Sequence, residues 1–311
     1  MKHYITIDGG TTNTRVSLVA KNEILQTVKI PMGARACMTD AQALKSALRD
    51  AIDTLLAQRA LKNEDIERIL ASGMITCEFG LCHLPHVQAP AGVRELHESM
   101  HEVLISEISP IPFVFIRGVK SVGETVADTD MMRGEEAELM GLMEEGTPES
   151  LYVLPGSHSK LIETDRDGRI TRFCTMLTGE MIASLSQGTI LRDAVDLSIA
   201  SYDSAYLLDG CRYAMAHGLN EALFKVRILK NLFGASPTQT YSFFLGTVLS
   251  SEIAAIIASP VRRVVIGGKA QIKRATAELL AQLCDKETVT VSDADVDASS
   301  ARGVIRIYES Q

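Results

Sequence analysis

The sequence predicts an α/β protein of two similar halves, each a short antiparallel meander followed by helices, with a cleft between the halves. Two observations predict this. The 311 residues exceed what one hydrophobic core usually supports, which indicates two domains. The order of strand, turn and strand at the N-terminus also recurs after Glu149, as a similarity of pattern rather than of residue identity.

The first half begins with three predicted strands. Residues 3–7, 14–20 and 24–30 are rich in β-branched residues and are separated by short turns, which predicts an antiparallel meander. An apolar face of alanine and leucine over residues 40–58 predicts an amphipathic helix. A further strand is expected to end at Gly73.

The second half repeats this layout. Three strands are predicted at residues 151–154, 160–164 and 169–175, with a Gly-Ser turn and an Asp-Gly turn between them. The elements expected after them are helices at 178–191 and 238–258, a strand at 263–266, a helix at 270–284, a strand at 288–291 and a helix from residue 298. The predicted domains are residues 1–129 and 130–311.

The composition is that of a folded protein, with 46% apolar and 23% charged residues. A net charge of −8 argues against nucleic-acid or anionic-membrane partners, which need a basic face. The longest apolar run is interrupted by Glu252, and six scattered cysteines show no disulfide rhythm. We therefore expect a cytoplasmic protein whose cysteines are thiols.

Residues 8–15 read Asp-Gly-Gly-Thr-Thr-Asn-Thr-Arg between the first two predicted strands. Glycines allow a tight turn that brings backbone N–H groups against phosphate oxygens, and threonine hydroxyls add donors. A carboxylate at a strand end can hold a hydrated magnesium ion. The alternative is a plain glycine turn closed by an Asx-type hydrogen bond. The candidates are Gly10, Thr11, Thr12 and Asn13 for phosphate and Asp8 for magnesium.

A second turn, Pro-Gly-Ser-His-Ser-Lys over residues 155–160, occupies the equivalent place in the second half. It again offers glycine, hydroxyls and a cation, so two turns facing one cleft could hold a polyphosphate; the alternative is a polar hairpin loop. Gly267 and Gly268 end a valine-rich strand and would let a purine approach the backbone. The candidates in the second turn are Gly156, Ser157, His158, Ser159 and Lys160.

Carboxylates crowd a predicted helix start after Gly134. Phosphoryl transfer to a hydroxyl needs a carboxylate within hydrogen-bond reach to accept the proton. Glu135 is the candidate base and Glu136 remains open. The alternative is that these residues only complement a helix N-terminus.

Two patterns are also typical of zinc sites and are the alternatives to a phosphate site. His97, Glu98 and His101 spell H-E-x-x-H, which on one helix would bind zinc in a hydrolase, with Glu124 as a conceivable third ligand. Residues 77–86 contain two cysteines and two histidines in a C-x₄-C-H-x₂-H pattern. The adjacent Cys82 and His83 cannot easily reach one tetrahedral centre together with the others, so a substrate-side loop is favoured there.

Together, residues 8–15, 73–75, 132–136, 154–160 and 176–180 resemble the 2-dehydro-3-deoxygalactonokinase family over nearly the whole chain. That family is similar to sugar kinases of the actin/hexokinase-like ATPase superfamily. The resemblance implies two ribonuclease-H-like domains, with mixed sheets flanked by helices. It also implies ATP-dependent phosphorylation of a keto-deoxy sugar acid to its 6-phosphate, in galactonate breakdown.

Matching by position, the resemblance implies that Asp8 is the magnesium-associated aspartate and that Gly267 and Gly268 lie on the adenosine side. The Gly134-Glu135-Glu136 step resembles the Gly-Asp-Gln step that carries the catalytic aspartate in glycerol-kinase-like enzymes. Here glutamate replaces aspartate, which shifts the carboxylate by about one bond. The residues expected on the substrate side are Gly73, Met74 and Ile75 together with the cations Arg15 and Arg133, ahead of Arg117 and Lys120.

The sequence thus predicts in-line transfer of the γ-phosphoryl group of ATP, with Mg²⁺ neutralising charge and Glu135 accepting the hydroxyl proton. A small sugar acid and ATP are the expected partners, and a homodimer is possible. The alternatives are a kinase for another sugar or keto-deoxy acid and an actin-like nucleotide switch that grips a partner protein. The zinc hydrolase built on His97 is a third.

Overall fold

The computed structural model describes residues 2–21, 23–268 and 270–310. In chain order the strands are β1 (His3–Gly9), β2 (Thr14–Ala20), β3 (Glu23–Ile30), β4 (Ile66–Gly73), β5 (Val87–Gln88), β6 (His101–Val103), β7 (Phe113–Phe115), β8 (Val119–Ser121), β9 (Asp130–Met132), β10 (Ser150–Leu154), β11 (Ser159–Thr164), β12 (Ile170–Met176), β13 (Arg263–Ile266) and β14 (Glu287–Thr290). The α-helices are α1 (Cys37–Gln58), α2 (Val93–Glu98), α3 (Glu135–Leu142), α4 (Thr178–Gly188), α5 (Ser204–His217), α6 (Leu219–Phe233), α7 (Pro237–Ala258), α8 (Ala270–Leu283) and α9 (Asp293–Glu309).

Two of the sheets share the same order over five strands, and the first has a sixth strand at its edge. The first runs β3-β2-β1-β4-β7-β6 and the second β12-β11-β10-β13-β14, while β5, β8 and β9 form a small third sheet. In the first sheet β1 pairs antiparallel with β2 and parallel with β4. In the second, β10 pairs antiparallel with β11 and parallel with β13. The predicted repetition of a meander followed by α/β elements is therefore confirmed.

The chain forms two compact units, each with its own hydrophobic core. The first comprises residues 1–147, 165–172 and 294–311, and the second comprises residues 148–164 and 173–293. These ranges differ from the predicted division after residue 129. One reason is that β9 pairs with β8 of the small sheet, which keeps the following residues in the first unit.

The C-terminal helix α9 is the second reason. A Cβ atom added to Gly303 would overlap the carbonyl oxygen of Ala137 on α3, so the two helices pack at very close range. The Tyr4 hydroxyl of β1 donates to Glu309 at 2.8 Å. Because these contacts join residues far apart in sequence, strand and helix patterns could not reveal them.

The helix α1 confirms the predicted amphipathic segment. Its buried residues are spaced by three or four and pack in the first core; they are Leu44, Leu48, Ala51, Ile52, Leu55 and Leu56. The helices α5 and α6 were not predicted from the sequence. The predicted terminal helix begins at Asp293, five residues before the predicted start.

The helix α7 is the one segment in the described part of the chain that has the length and apolarity of a membrane span. However, 72% of its most apolar window is buried in the unit, and residues such as Phe244, Leu249 and Ile253 belong to the second core. Its carboxylate Glu252 is fully buried and accepts a hydrogen bond from Thr178. We therefore describe α7 as a core helix.

The H-E-x-x-H pattern does not lie on one helix. The helix α2 ends at Glu98, and His101 is the first residue of β6, so the two histidines do not project from successive turns. The Nδ1 atom of His97 instead lies 2.9 Å from the carbonyl oxygen of Ile307. In residues 2–21, 23–268 and 270–310 no three His, Cys, Asp or Glu side chains are grouped as metal ligands. The zinc-helix hypothesis is therefore wrong.

Candidate active site

The first predicted phosphate turn connects β1 and β2. The Gly10 N–H donates to the Asn13 carbonyl oxygen at 2.9 Å, which closes the turn. Thr11, Thr12 and Asn13 are exposed, and the Asn13 amide donates to the Thr12 hydroxyl at 3.1 Å. The turn therefore presents hydroxyl, amide and backbone groups to solvent, the donor set that binds phosphate oxygens.

Gly33, which follows β3, supports this turn from behind and was not predicted from the sequence. A Cβ atom at Gly33 would lie 2.6 Å from the backbone nitrogen of Thr12, closer than real Cβ contacts. The next two N–H groups, of Ala34 and Arg35, donate to the carbonyl oxygens of Gly10 and Thr11 at 3.0 and 3.1 Å. These bonds fix the carbonyl side of the turn.

Asp8 lies at the end of β1, directly before the turn. It is opposite Arg15 across the β1–β2 pair, and the Arg15 Nε lies 3.5 Å from its carboxylate oxygen. Burial raises the pKa of Asp8, Arg15 opposes this rise and Glu135 adds to it. A cation beside Asp8 would therefore be favoured, because it would offset both the burial and the nearby carboxylate.

Close backbone packing brings β1, β4 and the start of α3 together. Gly73 and Gly134 have φ angles of 84° and 112°, which favour glycine. A Cβ atom on Gly73 would lie 2.5 Å from the Gly9 carbonyl oxygen, and one on Gly134 would lie 3.2 Å from the Gly73 Cα. The first unit therefore places the predicted base step near Asp8.

Of the predicted substrate-side residues after β4, Ile75 is buried in the first core and Met74 is half-buried. A Cβ atom on Gly9 would lie 2.7 Å from the Ile75 Cβ. The Ile75 side chain therefore supports the end of β1. Its predicted contact with substrate remains a prediction, as does that of Met74.

The two candidate bases differ in access. The Glu136 carboxyl is fully buried and accepts the Gly134 N–H on both oxygens, at 2.9 and 2.8 Å. Glu135 is half-buried and accepts the Arg133 N–H at 3.1 Å. Only Glu135 is accessible enough to reach a hydroxyl, so the geometry favours Glu135 over Glu136 as the base.

Arg133 holds the loop that follows β4. Its Nη1 donates to the carbonyl oxygen and the hydroxyl of Thr76, at 2.8 and 2.6 Å. Its Nη2 donates to the Leu84 carbonyl oxygen at 3.1 Å and lies 3.4 Å from Nδ1 of His86. The guanidinium is thus largely engaged inside the first unit. These contacts give Arg133 a role in holding the loop after β4. Its binding of the substrate carboxylate remains a prediction.

The second unit contains the second predicted turn, between β10 and β11. Ser157 and His158 are exposed and Gly156 is half-buried, whereas Ser159 and Lys160 belong to β11 and are buried. The Lys160 Nζ donates to the His158 carbonyl oxygen at 3.3 Å. The exposed donors of this turn are therefore fewer than the sequence predicts.

Gly179 supports the second turn as Gly33 supports the first, and this role was also not predicted. A Cβ atom at Gly179 would overlap the Gly156 carbonyl oxygen and lie 2.8 Å from the Ser157 Cα. The Glu180 N–H donates to the Ser157 carbonyl oxygen at 3.2 Å, and His158 Nε2 lies 3.0 Å from the Glu180 carboxylate. The only sequence signal for either support is a glycine shortly after the third strand of the meander.

Gly267 and Gly268 follow β13, beside the second turn. The Gly267 N–H donates to the Val153 carbonyl oxygen at 2.9 Å. Gly268 has a φ angle of 73°, and a Cβ atom there would lie 2.5 Å from the Pro155 carbonyl oxygen. The second unit also has a cavity of about 460 Å³ along α8 and the segment after β14, lined by Tyr202, Lys273, Arg274, Ala277, Thr290, Val291, Ser292 and Asp293.

Comparison with known proteins identifies the family of this chain. Residues 8–307 match the model of the 2-keto-3-deoxy-galactonokinase family. The chain belongs to this family. The 2-dehydro-3-deoxygalactonokinase of Escherichia coli is 27% identical over 263 residues, which are 81% of this chain and 80% of that protein. Family membership makes the protein a kinase, and the family implies ATP and a sugar acid as substrates.

Solved structures confirm the fold class. A Sinorhizobium meliloti protein assigned as a 2-dehydro-3-deoxygalactonokinase matches with a TM-score of 0.78 at 22% identity, covering 98% of this chain and 97% of that one. The activator of 2-hydroxyisocaproyl-CoA dehydratase from Clostridium difficile, solved with bound ADPNP, matches with a TM-score of 0.51 at 13% identity, covering 99% and 95%. The predicted fold of the actin-like ATPase kind is therefore confirmed.

The buried Glu136 should make the stability of this kinase depend on pH. Burial, and then the neighbouring Glu135, raise its pKa from 4.5 to about 8. Because the folded pKa exceeds the unfolded one, the native state binds more protons between these values, and stability falls as pH rises from about 5 to about 8. We expect Glu136→Gln to remove this loss, since glutamine resembles the protonated acid.

The measurement is the free energy of unfolding from denaturant titrations at pH 5.5 and 7.5. Between pH 5.5 and pH 7.5, the free energy of unfolding of Glu136→Gln should rise by about 1 to 3 kcal/mol relative to that of the parent protein. Exposed Glu64→Gln serves as the control and should follow the parent. Parallel pH profiles of Glu136→Gln and the parent would contradict the raised pKa.

Proposed function

We propose that this protein transfers the γ-phosphoryl group of ATP to the terminal hydroxyl of 2-dehydro-3-deoxy-D-galactonate, forming the 6-phosphate in galactonate catabolism. The observation that carries the proposal is the placement of Asp8, the exposed turn at residues 10–13 and Glu135 at one end of the first sheet. A phosphate-binding turn, a metal-associated carboxylate and a base are the parts that phosphoryl transfer to a hydroxyl requires. The choice of acceptor follows the family.

In this proposal the turn at residues 10–13 of the first unit is a phosphate-binding turn, and so is the turn at residues 156–158 of the second unit. The glycines that support these turns hold their backbones in place, so little ordering is needed on binding. The purine is assigned to the second unit, in which Gly267 and Gly268 follow β13 and a cavity lies along α8. Tyr202 and Arg274 line that cavity, and both side chains can stack on a flat ring.

Asp8 fits a magnesium site. Its carboxylate is one-third exposed beside the turn, and magnesium usually binds one or two carboxylates together with water and substrate phosphates. Bound magnesium would neutralise charge on the phosphate oxygens during transfer. The Arg15 guanidinium, opposite Asp8, is half-exposed, and its Nε lies 3.5 Å from the Asp8 carboxylate.

Glu135 acts as the general base in this proposal. It accepts the proton of the substrate hydroxyl as the oxygen attacks the γ-phosphorus, while ADP leaves with the electrons of the broken P–O bond. Arg133 holds the backbone before Glu135 through its bonds to Thr76 and Leu84. Glu136 fixes the Gly134 N–H from the buried side and so positions the start of α3.

The proposal places the protein in the cytoplasm. All six cysteines are free thiols, which is usual in a reducing compartment. The net charge of −8 is unsuited to nucleic acid or an anionic membrane surface. The homodimer remains a prediction.

The test is ADP release from magnesium-ATP with a panel of acceptors. We expect turnover with 2-dehydro-3-deoxy-D-galactonate, less with its C4 epimer, and at most a background rate with neutral hexoses. Product analysis should place the phosphate on the terminal oxygen. Preference for a neutral sugar, or ATP hydrolysis that no sugar acid stimulates, would contradict the proposal.

A further inference from the structure

The small sheet gathers basic side chains at one end. His86 directly precedes β5, Arg117 lies two residues before β8, and Arg133 directly follows β9. Since β5 pairs parallel with β8 and β8 pairs antiparallel with β9, the starts of β5 and β8 and the end of β9 meet at the same edge. His86 and Arg133 are therefore neighbours, with Nη2 of Arg133 3.4 Å from Nδ1 of His86, and Arg117 lies in the segment that leads into this edge.

Arg117 differs from Arg133 in its contacts. Arg133 donates to protein oxygens on both terminal nitrogens. Arg117 is half-buried, its Nε is buried, and it forms no hydrogen bond or ion pair with the residues that the structure describes. A buried Nε–H group without an acceptor has lost water without gaining a partner, which is costly unless a ligand supplies the acceptor.

The surroundings of His86 show how positive this edge is. Burial, followed by the charges of Arg133, Lys120 and His83, lowers the pKa of His86 to about 4, so the imidazole is neutral at physiological pH. No carboxylate contributes to this shift. Gly118 lets the His86 ring pack closely at the same edge, because a Cβ atom there would lie 2.8 Å from the ring.

We propose that Arg117, assisted by Lys120, binds the C1 carboxylate of the sugar acid. The inference rests on the proposed function and adds to it the group that selects an acid over a neutral sugar. A guanidinium holds a carboxylate through two parallel hydrogen bonds. Glu135 follows Arg133 by two residues, so the basic edge and the base lie on the same side of the first unit. That placement suits a sugar acid whose C1 carboxylate is bound at the basic edge and whose terminal hydroxyl reaches Glu135.

In this arrangement Arg133 is a positioning residue. Its bonds to Thr76 and Leu84 hold the loop that carries His86 against the edge. Arg117 then determines specificity, because a neutral ligand would leave its buried nitrogen without an acceptor. Sites built around a charged hydrogen-bonding group reject ligands that lack the partner.

The test is ligand binding by calorimetry without ATP, using 2-dehydro-3-deoxy-D-galactonate and its C1 carboxamide. We expect the parent protein to bind the acid more tightly than the amide. Arg117→Gln should weaken acid binding by about 10- to 100-fold and change amide binding by less than about threefold. Lys120→Gln should weaken acid binding by a smaller factor. Exposed Arg94→Gln is the matched control and should bind like the parent.

ADP release by the parent, measured with the same acid, separates this inference from the proposed function. Binding of the acid without turnover would contradict the proposed function and leave the carboxylate site intact. Turnover by the parent, together with an unchanged acid-to-amide ratio in Arg117→Gln and Lys120→Gln, would overturn the carboxylate site. Equally weakened binding of the acid and the amide by Arg117→Gln would assign Arg117 a structural role and would also overturn the carboxylate site. Thermal unfolding of each variant shows whether it is folded. If Arg117→Gln does not fold, the acid-to-amide ratio of Lys120→Gln tests the carboxylate site.

Discussion

Glu135→Gln is expected to lower kcat for phosphorylation of the sugar acid by about 10²- to 10⁴-fold, the usual contribution of a general base. Glutamine keeps the shape of the side chain and can still accept the Arg133 N–H, but its amide cannot take up the hydroxyl proton. The KM for the sugar acid should change little, because the carboxylate acts on the reacting oxygen in the transition state.

Steady-state ADP release measures this effect, and Glu136→Gln is the matched control. Glu136 is sealed against the Gly134 backbone, so its amide variant should keep kcat within about tenfold of the parent, well short of a lost general base. A large loss of kcat in Glu136→Gln, with little loss in Glu135→Gln, would indicate that Glu136 is the base and Glu135 is not. Equal, small effects in both would indicate that another group accepts the proton.

Asp8→Asn is expected to lower kcat/KM for magnesium-ATP by about 10²-fold or more, because electrostatic groups at a phosphoryl-transfer site typically contribute this much. The substitution removes the negative charge beside the first turn and leaves the side-chain volume unchanged. It should also relieve the carboxylate repulsion between Asp8 and Glu135, so the folded protein should not be destabilised.

Titration of activity with magnesium at fixed ATP distinguishes this role from a structural one. Asp8→Asn should need more magnesium for half-maximal activity, whereas exposed Asp53→Asn on α1 should follow the parent. Binding of the sugar acid should be unaffected. Normal magnesium dependence of Asp8→Asn together with a lost turn conformation would assign Asp8 a purely structural role.

The regular elements around the site could be predicted because they depend on local patterns. Strand alternation and glycine-rich turns indicate β1, β2, β10 and β11, and the residue types at 8–15 and 155–160 are enough to locate both turns. The step at Glu135 can also be located, since carboxylates after a glycine at a helix start form a local signal. These features need only neighbours in sequence.

The supports of the site could not be predicted, because they depend on contacts between distant residues. Gly33 and Gly179 lack a side chain, which lets them pack against the backbone of the two turns. In the sequence alone, such a glycine cannot be distinguished from any other loop glycine after a strand. The contacts of Arg133 with Thr76 and Leu84 span about fifty residues of sequence. Gly134 has a φ angle of 112°, and the Glu136 carboxyl accepts its N–H group, which no composition pattern reveals.

The position of α9 bears on how the protein is made. The first unit holds the candidate base, yet α9 packs on α3 through Gly303, and Arg306 donates to the Met140 carbonyl oxygen at 3.1 Å. During synthesis the N-terminal residues leave the ribosome first, but the first unit lacks the helix α9 until the whole second unit has been synthesised. The second unit lies wholly within residues 148–293 and can complete its core earlier. The unit whose synthesis begins first therefore completes its core after the second unit.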